Sequence, residues 1–295
     1  MNAGVIIGGR PGMGKTSLAA SMALNMLNQS KRSVLYYTLV WDAKDLVKRV
    51  LSTSGKITNY KFRHSCYDMD DALLIAESAY KLASEHIHLN KMPASFIDEL
   101  CDIMKSNSAH KNNYLDEKDA FAIAESASKL AATNFYIEDT PAKFVEQLCE
   151  EVKSFSAHTR IDVIFIDALQ LMRSTNVDLK GLECHSFILS ELNSLAKELG
   201  IAIIIMDQLS RSYRTSKRPE ITDFRYHESN EKHADTILFI HRESYYLEKN
   251  DDRYEAEKDR GEIVVAKHCH CSNEVIPVRW DAKYTCFSNP VEVVV

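Results

Sequence analysis

The chain has 295 residues, a formal net charge of −6, 45% hydrophobic residues and 26% charged residues. The negative balance excludes a generally basic surface, so any nucleic-acid contact must come from local basic loops. No apolar run approaches the roughly 18 residues of a membrane helix, and no secretory signal precedes the first strand-like segment, so we expect a cytoplasmic protein without membrane contact. Seven scattered cysteines favour a reducing compartment over a disulfide framework.

The first predicted elements surround a glycine-rich loop. Residues 4–7 are a short apolar run, typical of a buried strand, and residues 17–28 have the apolar spacing of a helix. The loop between them reads Gly9-Arg10-Pro11-Gly12-Met13-Gly14-Lys15-Thr16 and fits the pattern G-x-x-x-x-G-K-[ST] at every fixed position. Strand, loop and helix in this order predict a P-loop that binds a nucleoside triphosphate, although a turn of the same composition could bind nothing.

The chemistry of a P-loop gives each of these residues a task. Glycines let backbone N–H groups close around a polyphosphate, and the following helix N-terminus adds the positive end of its dipole. Lys15 can reach the β- and γ-phosphates, and the Thr16 hydroxyl can ligate Mg²⁺. The predicted nucleotide contacts are Gly9, Arg10, Pro11, Gly12, Met13, Gly14, Lys15, Thr16 and Ser17.

An internal repeat occupies the next part of the chain. Residues 33–39 predict a second strand, and residues 43–51 predict a helix that ends at the turn 52–55. Residues 71–110 then align without a gap with residues 119–158, and 20 of these 40 positions are identical. Each copy predicts a helix, a short strand (85–89 or 134–138) and a helix beginning near Pro93 or Pro141. We interpret the repeat as one helix-strand-helix unit copied in tandem inside a single domain.

The later elements are mostly apolar strands. The predicted strands are residues 161–167, 201–206, 235–241, 262–267 and 274–280, and residues 182–199 predict an amphipathic helix that stops at Gly200. Apolar strands alternating with helices indicate an α/β fold with a mostly parallel twisted sheet and helices on both faces. Ligands of such folds bind at the carboxyl ends of the strands, where the loop 9–16, Asp167 and residues 207–208 would lie.

Two polar residues at predicted strand ends are candidates for the chemistry. Asp167 follows an apolar strand, and a carboxylate in this position can hold Mg²⁺ opposite a phosphate loop. Such an aspartate is otherwise a helix cap or a turn residue, and the P-loop favours the metal role. Gln208 could sense the γ-phosphate or orient water, or it could be an ordinary polar residue at a strand end. We therefore predict Lys15, Asp167 and Gln208 as catalytic residues, with Thr16 and Asp167 as the ligands of Mg²⁺.

A basic loop follows Gln208, with hydroxyls and a tyrosine between its cations. That mixture suits contact with a nucleic acid such as DNA, through phosphate neutralisation and base stacking, and a solvated loop is the alternative. The predicted DNA contacts are Arg211, Arg214, Lys217, Arg218 and Arg225.

Residues 267–271 read Lys-His-Cys-His-Cys and invite a zinc interpretation. In a strand, His268 and His270 lie on one face while Cys269 and Cys271 lie on the other. Without a turn these four residues cannot ligate one ion, so we predict an ordinary strand here.

With these motifs in place, the chain resembles the C-terminal ATPase domain of DnaB-type replicative helicases, which has a RecA-like P-loop fold. The resemblance is carried, in order, by GGRPGMGKTSLA, IDVIFIDALQLMR, ELNSLAKELGIAIIIMDQLSR, KRPEITDFR, HADTILFIHRESYY and GEIVVAKH. The family-like segment IEDTPA lies at residues 137–142, inside the second copy of the repeat. We therefore expect a single RecA-like domain over residues 1–295, in which residues 71–118 are the duplicated insert.

The resemblance implies a role for each motif. Lys15 and Thr16 would grip ATP and Mg²⁺, Asp167 would be the Walker B carboxylate, and Gln208 would sense the γ-phosphate. Single-stranded DNA would pass through a hexameric homo-oligomeric ring, against the loops 173–180 and 211–225. Lys267 would reach the nucleotide of the neighbouring subunit.

The chain also departs from the family pattern. Family members carry S-L-E-M after the second strand, with the Glu as base for the attacking water, and here Val40 replaces it. In the family's K-Q-R-N-G motif an arginine finger stands where this chain has Cys269, and D-L-R-E-S-G has become residues 223–228, DFRYHE. From the resemblance we also expect the chain to lack the family's N-terminal helicase domain and its linker helix. Asp42 could substitute for the base or cap the helix that begins at Ala43.

The size of these effects predicts which functions survive. An arginine finger is worth about 10³–10⁵ in turnover and a positioned base about 10²–10⁴, whereas nucleotide binding depends on the P-loop itself. One hypothesis is an ATP-dependent DNA helicase or translocase of DNA replication. The other is a relative that binds nucleotide, hydrolyses it poorly and serves as a DNA-binding or partner-docking module. A RecA-like recombinase shares the fold, but the segments DQLSR and RPEITDFR favour the helicase branch.

Overall fold

A computed structural model gives the fold and describes residues 4–58, 126, 129–130, 133–140, 143–210, 217–268 and 274–290. The strands in these ranges are β1 (Gly4–Gly9), β2 (Val34–Thr38), β3 (Phe135–Glu138), β4 (Val163–Asp167), β5 (Ala202–Gln208), β6 (Thr236–His241), β7 (Arg260–His268), β8 (Glu274–Asp281) and β9 (Cys286–Ser288). The helices are α1 (Lys15–Asn28), α2 (Ala43–Gly55), α3 (Val145–Ser156), α4 (Gly181–Leu199), α5 (His227–His233) and α6 (Tyr254–Glu257). Single 3₁₀ turns lie at Leu169–Leu171, Ile221–Asp223 and Glu243–Tyr245.

The described strands form one sheet in the order β3-β2-β4-β5-β1-β6-β7-β8-β9. The first six strands of this order are parallel. The last three pair antiparallel, and the short connection at 282–285 suits antiparallel neighbours. The predicted α/β fold with a mostly parallel sheet is therefore confirmed, with an antiparallel extension at one edge.

Two apolar layers cover the two faces of the parallel sheet. Because successive side chains of a strand point to opposite faces, Ile7 packs with α1 and α2 while Ile6 packs with α3 and α4. Both side chains are almost completely buried. This arrangement confirms the predicted helices on both faces and fixes the β1 strand end from which the phosphate loop departs.

Two predicted helix boundaries were wrong. The helix predicted to stop at residue 51 continues to Gly55, because Thr53 Oγ1 donates back to the Arg49 carbonyl at 3.0 Å and so tolerates the helix interior. The helix predicted to begin near Pro141 begins at Val145. Its preceding residue, Phe144, is extended and forms a bridge with Arg173.

Other predictions fall where expected or lie beyond the described residues. Helix α4 ends at Gly200, whose φ of 70° is the left-handed conformation expected of a glycine stop. The predicted strand 85–89, the first copy of the repeat and the cysteines 269 and 271 lie outside the described residues. Among the described helices, none combines the length and the apolar character needed to cross a membrane.

Candidate active site

The glycine loop leaves the carboxyl end of β1 and turns into α1. Gly12 and Gly14 have φ values of 78° and 101°, which favour glycine strongly. A Cβ atom on Gly14 would also lie 3.0 Å from the Phe287 ring. Met13 between them is buried in the core and anchors the loop, whereas Pro11 and Gly12 are exposed. The loop is thus a fixed turn whose exposed backbone faces the end of the sheet.

Lys15 folds its ammonium group onto this loop. Its Nζ donates to the carbonyl of Gly9 at 2.8 Å and to that of Arg10 at 3.4 Å. Burial lowers the pKa of Lys15, and the carboxylates of Asp167 and Asp207 oppose that decrease. Since an ammonium group has three N–H donors, the same group can turn from these carbonyls to phosphate oxygens.

Thr16 and Asp167 lie in direct contact although they are 151 positions apart in the sequence. Thr16 Oγ1 donates to Asp167 Oδ2 at 2.6 Å, and the Tyr36 hydroxyl approaches the same oxygen at 3.3 Å. Burial raises the pKa of Asp167, an effect opposed first by the Thr16 hydrogen bond and then by the charge of Lys15. Hydroxyl and carboxylate oxygens are the ligands that Mg²⁺ prefers, so this pair fits the predicted magnesium site.

Asp207 and Gln208 end β5 beside the loop, with Gly8 opposite Asp207 and Gly9 opposite Gln208. The Gln208 N–H donates to Asp207 Oδ1 at 2.8 Å, and Asn230 Nδ2 donates to Oδ2 at 2.8 Å. Burial raises the pKa of Asp207, and these two hydrogen bonds oppose the increase. Asp207 therefore orients the strand end that carries Gln208.

The turn after β2 lies beside Asp167, because the Leu39 N–H donates to the Asp167 carbonyl at 2.6 Å. Val40, at the position of the expected base, is 49% exposed. Asp42 occupies the N-cap position of α2, but its side chain makes no capping hydrogen bond. Asp139 instead accepts the Ala43 N–H at 2.9 Å. The cap alternative for the Asp42 side chain is therefore wrong.

Two arginines near the loop were not identified from the sequence. Arg49 of α2 donates to Ser17 Oγ at 2.9 Å. Arg242, directly after β6, donates to the carbonyls of Met13 at 3.1 Å and Gly12 at 2.8 Å, and its guanidinium stacks 4.2 Å above the Trp280 ring. The position of Arg242 at a strand's carboxyl end was a usable signal, whereas Arg49 lies within a helix and gave none.

The predicted DNA contacts are only partly within the described residues. Arg211 and Arg214 lie outside them. Lys217 pairs with Glu220 at 2.6 Å, and Arg218 forms a two-pronged pair with Glu262 at 2.6 and 2.8 Å. The Arg225 guanidinium lies 5.1 Å from the centre of the Tyr226 ring. These exposed pairs are weak in water and can exchange a carboxylate for a phosphate.

Lys267 contacts the end of helix α5 in its own chain. Its Nζ donates to the carbonyl of Ala234 at 2.8 Å and to that of Glu231. Cys269, at the family's arginine-finger position, lies outside the described residues. Within the described part of the chain, no three metal-binding side chains converge.

Comparisons with known proteins identify the family of the chain. The sequence model of the DnaB-like helicase C terminal domain matches residues 2–113 and 99–289. A probable replicative DNA helicase of Trieres chinensis is 27% identical over 286 residues, covering 96% of this chain and 52% of that protein. The replicative DNA helicase DnaB of Rickettsia conorii (strain ATCC VR-613 / Malish 7) is 26% identical over 309 residues, covering 97% of this chain and 53% of that protein.

The chain thus spans about half the length of the curated relatives it matches. Among solved structures, a DnaB-like replicative helicase, described with its interactions with primase, superposes with a TM-score of 0.73 at 22% identity, over 98% of this chain and 59% of that one. At that identity the likeness shows the fold, which is RecA-like. With the family match extending over most of its length, the chain belongs to the DnaB-like helicase C terminal domain family.

Proposed function

We propose that this chain binds Mg-ATP and acts as the motor domain of a replicative DNA helicase or translocase in the cytoplasm. The observation that carries the proposal is the contact between Thr16 and Asp167, which joins the phosphate loop to the end of β4. In this family's type of P-loop site, the hydroxyl and the carboxylate share the magnesium ion of the nucleotide. Membership of the helicase family supports the DNA-dependent part of the proposal.

Each residue of the site has a proposed task. The loop from Gly9 to Thr16 cradles the phosphates with its N–H groups, and the Lys15 ammonium group moves from the loop carbonyls to the β- and γ-phosphate oxygens. Thr16 and Asp167 hold Mg²⁺, which would neutralise charge that develops on the phosphates. Gln208, beside Gly9, orients the attacking water or senses the γ-phosphate.

The same proposal assigns the partners. Arg211, Arg214, Lys217, Arg218 and Arg225 contact the backbone of single-stranded DNA. Several copies of the chain assemble, in a hexameric ring by likeness to the family, and Lys267 lies towards the neighbouring subunit's nucleotide. To do so, Lys267 must release the carbonyls of Glu231 and Ala234, to which it donates within its own chain.

Residues 71–118 are proposed to be an extra copy of the unit at 119–158 within one RecA-like domain. The identity between the two copies, at 20 of 40 aligned positions, supports this.

A second candidate function is nucleotide binding with little hydrolysis, in a DNA-binding or partner-docking module. The exposed apolar side chain of Val40 at the position of the water-activating base favours it. Cys269 at the arginine-finger position points the same way. The expected loss in turnover is several orders of magnitude, with ATP affinity retained.

Steady-state ATPase assays with and without single-stranded DNA separate the two candidates. The helicase proposal predicts turnover that DNA increases and that the Lys15→Ala variant abolishes. Tight, magnesium-dependent ATP binding with no turnover above that of Lys15→Ala would establish the second candidate instead. Failure of the wild-type chain to bind ATP would contradict both.

A further inference from the structure

Asn230 of helix α5 is completely buried and contacts the carboxyl end of strand β5. Its Nδ2 donates to Asp207 Oδ2 at 2.8 Å, and Asp207 Oδ1 accepts the Gln208 N–H at 2.8 Å. Both oxygens of the carboxylate therefore accept an N–H, as suits an ionised carboxylate. A continuous line of hydrogen bonds thus runs from Asn230 through Asp207 to the backbone of Gln208.

The Gln208 N–H depends on this carboxylate because the neighbouring strand β4 has already ended. Alternate N–H groups of β5 face β4, beginning with Ala202, whose N–H donates to the Asp162 carbonyl at 3.2 Å. With the same offset between the strands, the Gln208 N–H faces residue 168, which lies past the end of β4. The Asp207 carboxylate takes the place of the missing strand partner.

The side chains of Asp207 and Gln208 lie on opposite faces of the sheet. Successive side chains of a strand alternate, so Gln208 shares the face of Met206, which packs in the same apolar layer as α1. On the side of the phosphate loop, the Gly9 carbonyl accepts the Leu209 N–H at 3.3 Å. The Gln208 backbone is thus held from both sides, while its side chain lies on the face of the helix that follows the loop.

The contact between Asn230 and Asp207 is costly for the fold. Asn230 Oδ1 is buried and has no hydrogen-bond partner among the described residues, and Asp207 brings a carboxylate into the interior. Apolar residues at both positions would avoid the unpaired oxygen and the buried charge. His185 Nε2 lies 3.9 Å from Asp207 Oδ2, which is too long for a hydrogen bond. Among the described side chains, Asn230 is therefore the one that holds this oxygen.

We propose that Asn230 is a positioning residue for Gln208, which it fixes through Asp207 so that the Gln208 amide meets the third phosphate of a bound nucleoside triphosphate. The inference rests on the proposed function, because it takes Gln208 as the group that senses the γ-phosphate. Asn230 itself does not touch the nucleotide. The preference of the site for a triphosphate over a diphosphate then depends on a residue of α5.

The quantity that reports this role is the ratio of the affinities for a triphosphate and a diphosphate. A hydrogen bond to a charged group contributes about tenfold or more in affinity, and only the triphosphate offers Gln208 a γ-phosphate oxygen. A merely structural role for Asn230 would weaken both nucleotides alike and leave the ratio unchanged.

The test titrates the full chain with a non-hydrolysable ATP analogue and with ADP, each with Mg²⁺, and measures the heat of binding. Asn230→Leu keeps the volume of the side chain and removes its amide, and Gln208→Ala measures what the sensor contributes. Asn193→Leu is the matched control, because Asn193 Nδ2 donates at 2.6 Å to the carbonyl of His233, at the other end of α5. The melting temperature of each variant reports on its fold.

The proposal predicts that the ratio falls at least fivefold in Gln208→Ala and at least threefold in Asn230→Leu, with Asn193→Leu unchanged. In a chain that already carries Gln208→Ala, Asn230→Leu should change the ratio no further, because both residues act through one contact. An unchanged ratio in a folded Asn230→Leu variant, or an equal effect with and without Gln208, overturns the proposal.

The remaining outcomes separate the inference from the proposed function. Where Asn230→Leu does not fold, the smaller Asn230→Ala decides the matter with the same thresholds. An unchanged ratio in Gln208→Ala overturns the inference alone, since the loop then binds nucleotide without a contact from Gln208. A wild-type chain that binds neither nucleotide overturns the proposed function as well.

Discussion

At the scale of single residues, the groups proposed to bind the nucleotide lie beside an apolar residue at the proposed position of the base. Thr16 and Asp167 touch at 2.6 Å, and Lys15 lies on the loop, while the turn beside Asp167 presents the apolar side chain of Val40. Local sequence was sufficient to predict that the loop and Asp167 lie at the same edge of the sheet, because each follows an apolar strand. The hydrogen bonds of Arg10 and Arg242 could not be predicted, since their partners lie 207 to 236 positions away.

The Val40→Glu variant tests whether the missing carboxylate limits hydrolysis. The side chain at this position is 49% exposed, so a glutamate fits there without burial of its charge. A positioned base contributes about 10²–10⁴ in rate, and we expect ATP turnover to rise by at least tenfold. Val40→Gln is the matched control and should leave turnover unchanged. Equal turnover in both variants would exclude the base position as the limiting feature.

His185 gives the fold a pH dependence with a definite sign. Burial lowers the pKa of His185 to about 4, with a smaller decrease from His233, although Asp207 lies 3.9 Å from its Nε2. We consider the ring neutral at pH 7, so this approach to Asp207 is not an ion pair. At pH values between the ordinary histidine pKa and about 4, His185 takes up a proton in the unfolded chain but not in the folded one. Acidification through this range therefore destabilises the folded state.

A comparison of the wild-type chain with His185→Gln isolates this effect. Between pH 7 and pH 5 the free energy of unfolding of the wild type should fall by about 2 kcal/mol more than that of the variant. Urea unfolding at each pH measures the difference. Parallel pH profiles of the two proteins would show that His185 titrates alike in the folded and unfolded states.

At the scale of elements, prediction worked where one segment carries its own signal. Apolar periodicity predicted the strands β1, β4 and β5 and the helix α4. The glycine at position 200 predicted where α4 ends, and its φ of 70° in the structure is the left-handed conformation of such a stop. The antiparallel edge was not predicted, although the short connections between β7 and β8 and between β8 and β9 favour antiparallel neighbours. The late start of α3 depends on a pairing that no local pattern shows, since Phe144 forms a bridge with Arg173 of a later loop.

The repeat allows a deletion test with a matched control. Removal of residues 71–118 places Asp119 after Asp70, as Asp71 is in the natural chain, and keeps β3 and α3. We expect this variant to fold and to bind Mg-ATP within about threefold of the wild type, since the length of a connection between two elements has only a small effect on stability.

Removal of residues 111–158 instead leaves the first copy of the repeat to supply the strand and helix that β3 and α3 form in the natural chain. Buried Tyr136 would then be replaced by His88 and Phe135 by Ile87, so we expect a lower melting temperature than for the first deletion. Thermal unfolding and ATP titration of both variants provide the measurement. Loss of folding on removal of 71–118, with a stable 111–158 deletion, would show that the first copy supplies the unit in the fold.

At the scale of the whole molecule, the sheet topology gathers the functional groups. The ends of β1, β4 and β5 lie side by side in the order β4-β5-β1, so the phosphate loop, Asp167 and Gln208 reach one edge. Residues 209–225, which include the predicted DNA contacts, start from that same edge at Leu209. The proposed motor function needs the nucleotide and DNA sites close together, and the parallel strand order brings the beginnings of these segments to one edge.

Isothermal titration of Mg-ATP into the full chain tests the central claim most directly. The account predicts a saturable heat that requires Mg²⁺, disappears in Lys15→Ala and loses its magnesium dependence in Asp167→Asn. No heat from a folded wild-type chain, or equal binding by wild type and Lys15→Ala, would contradict it.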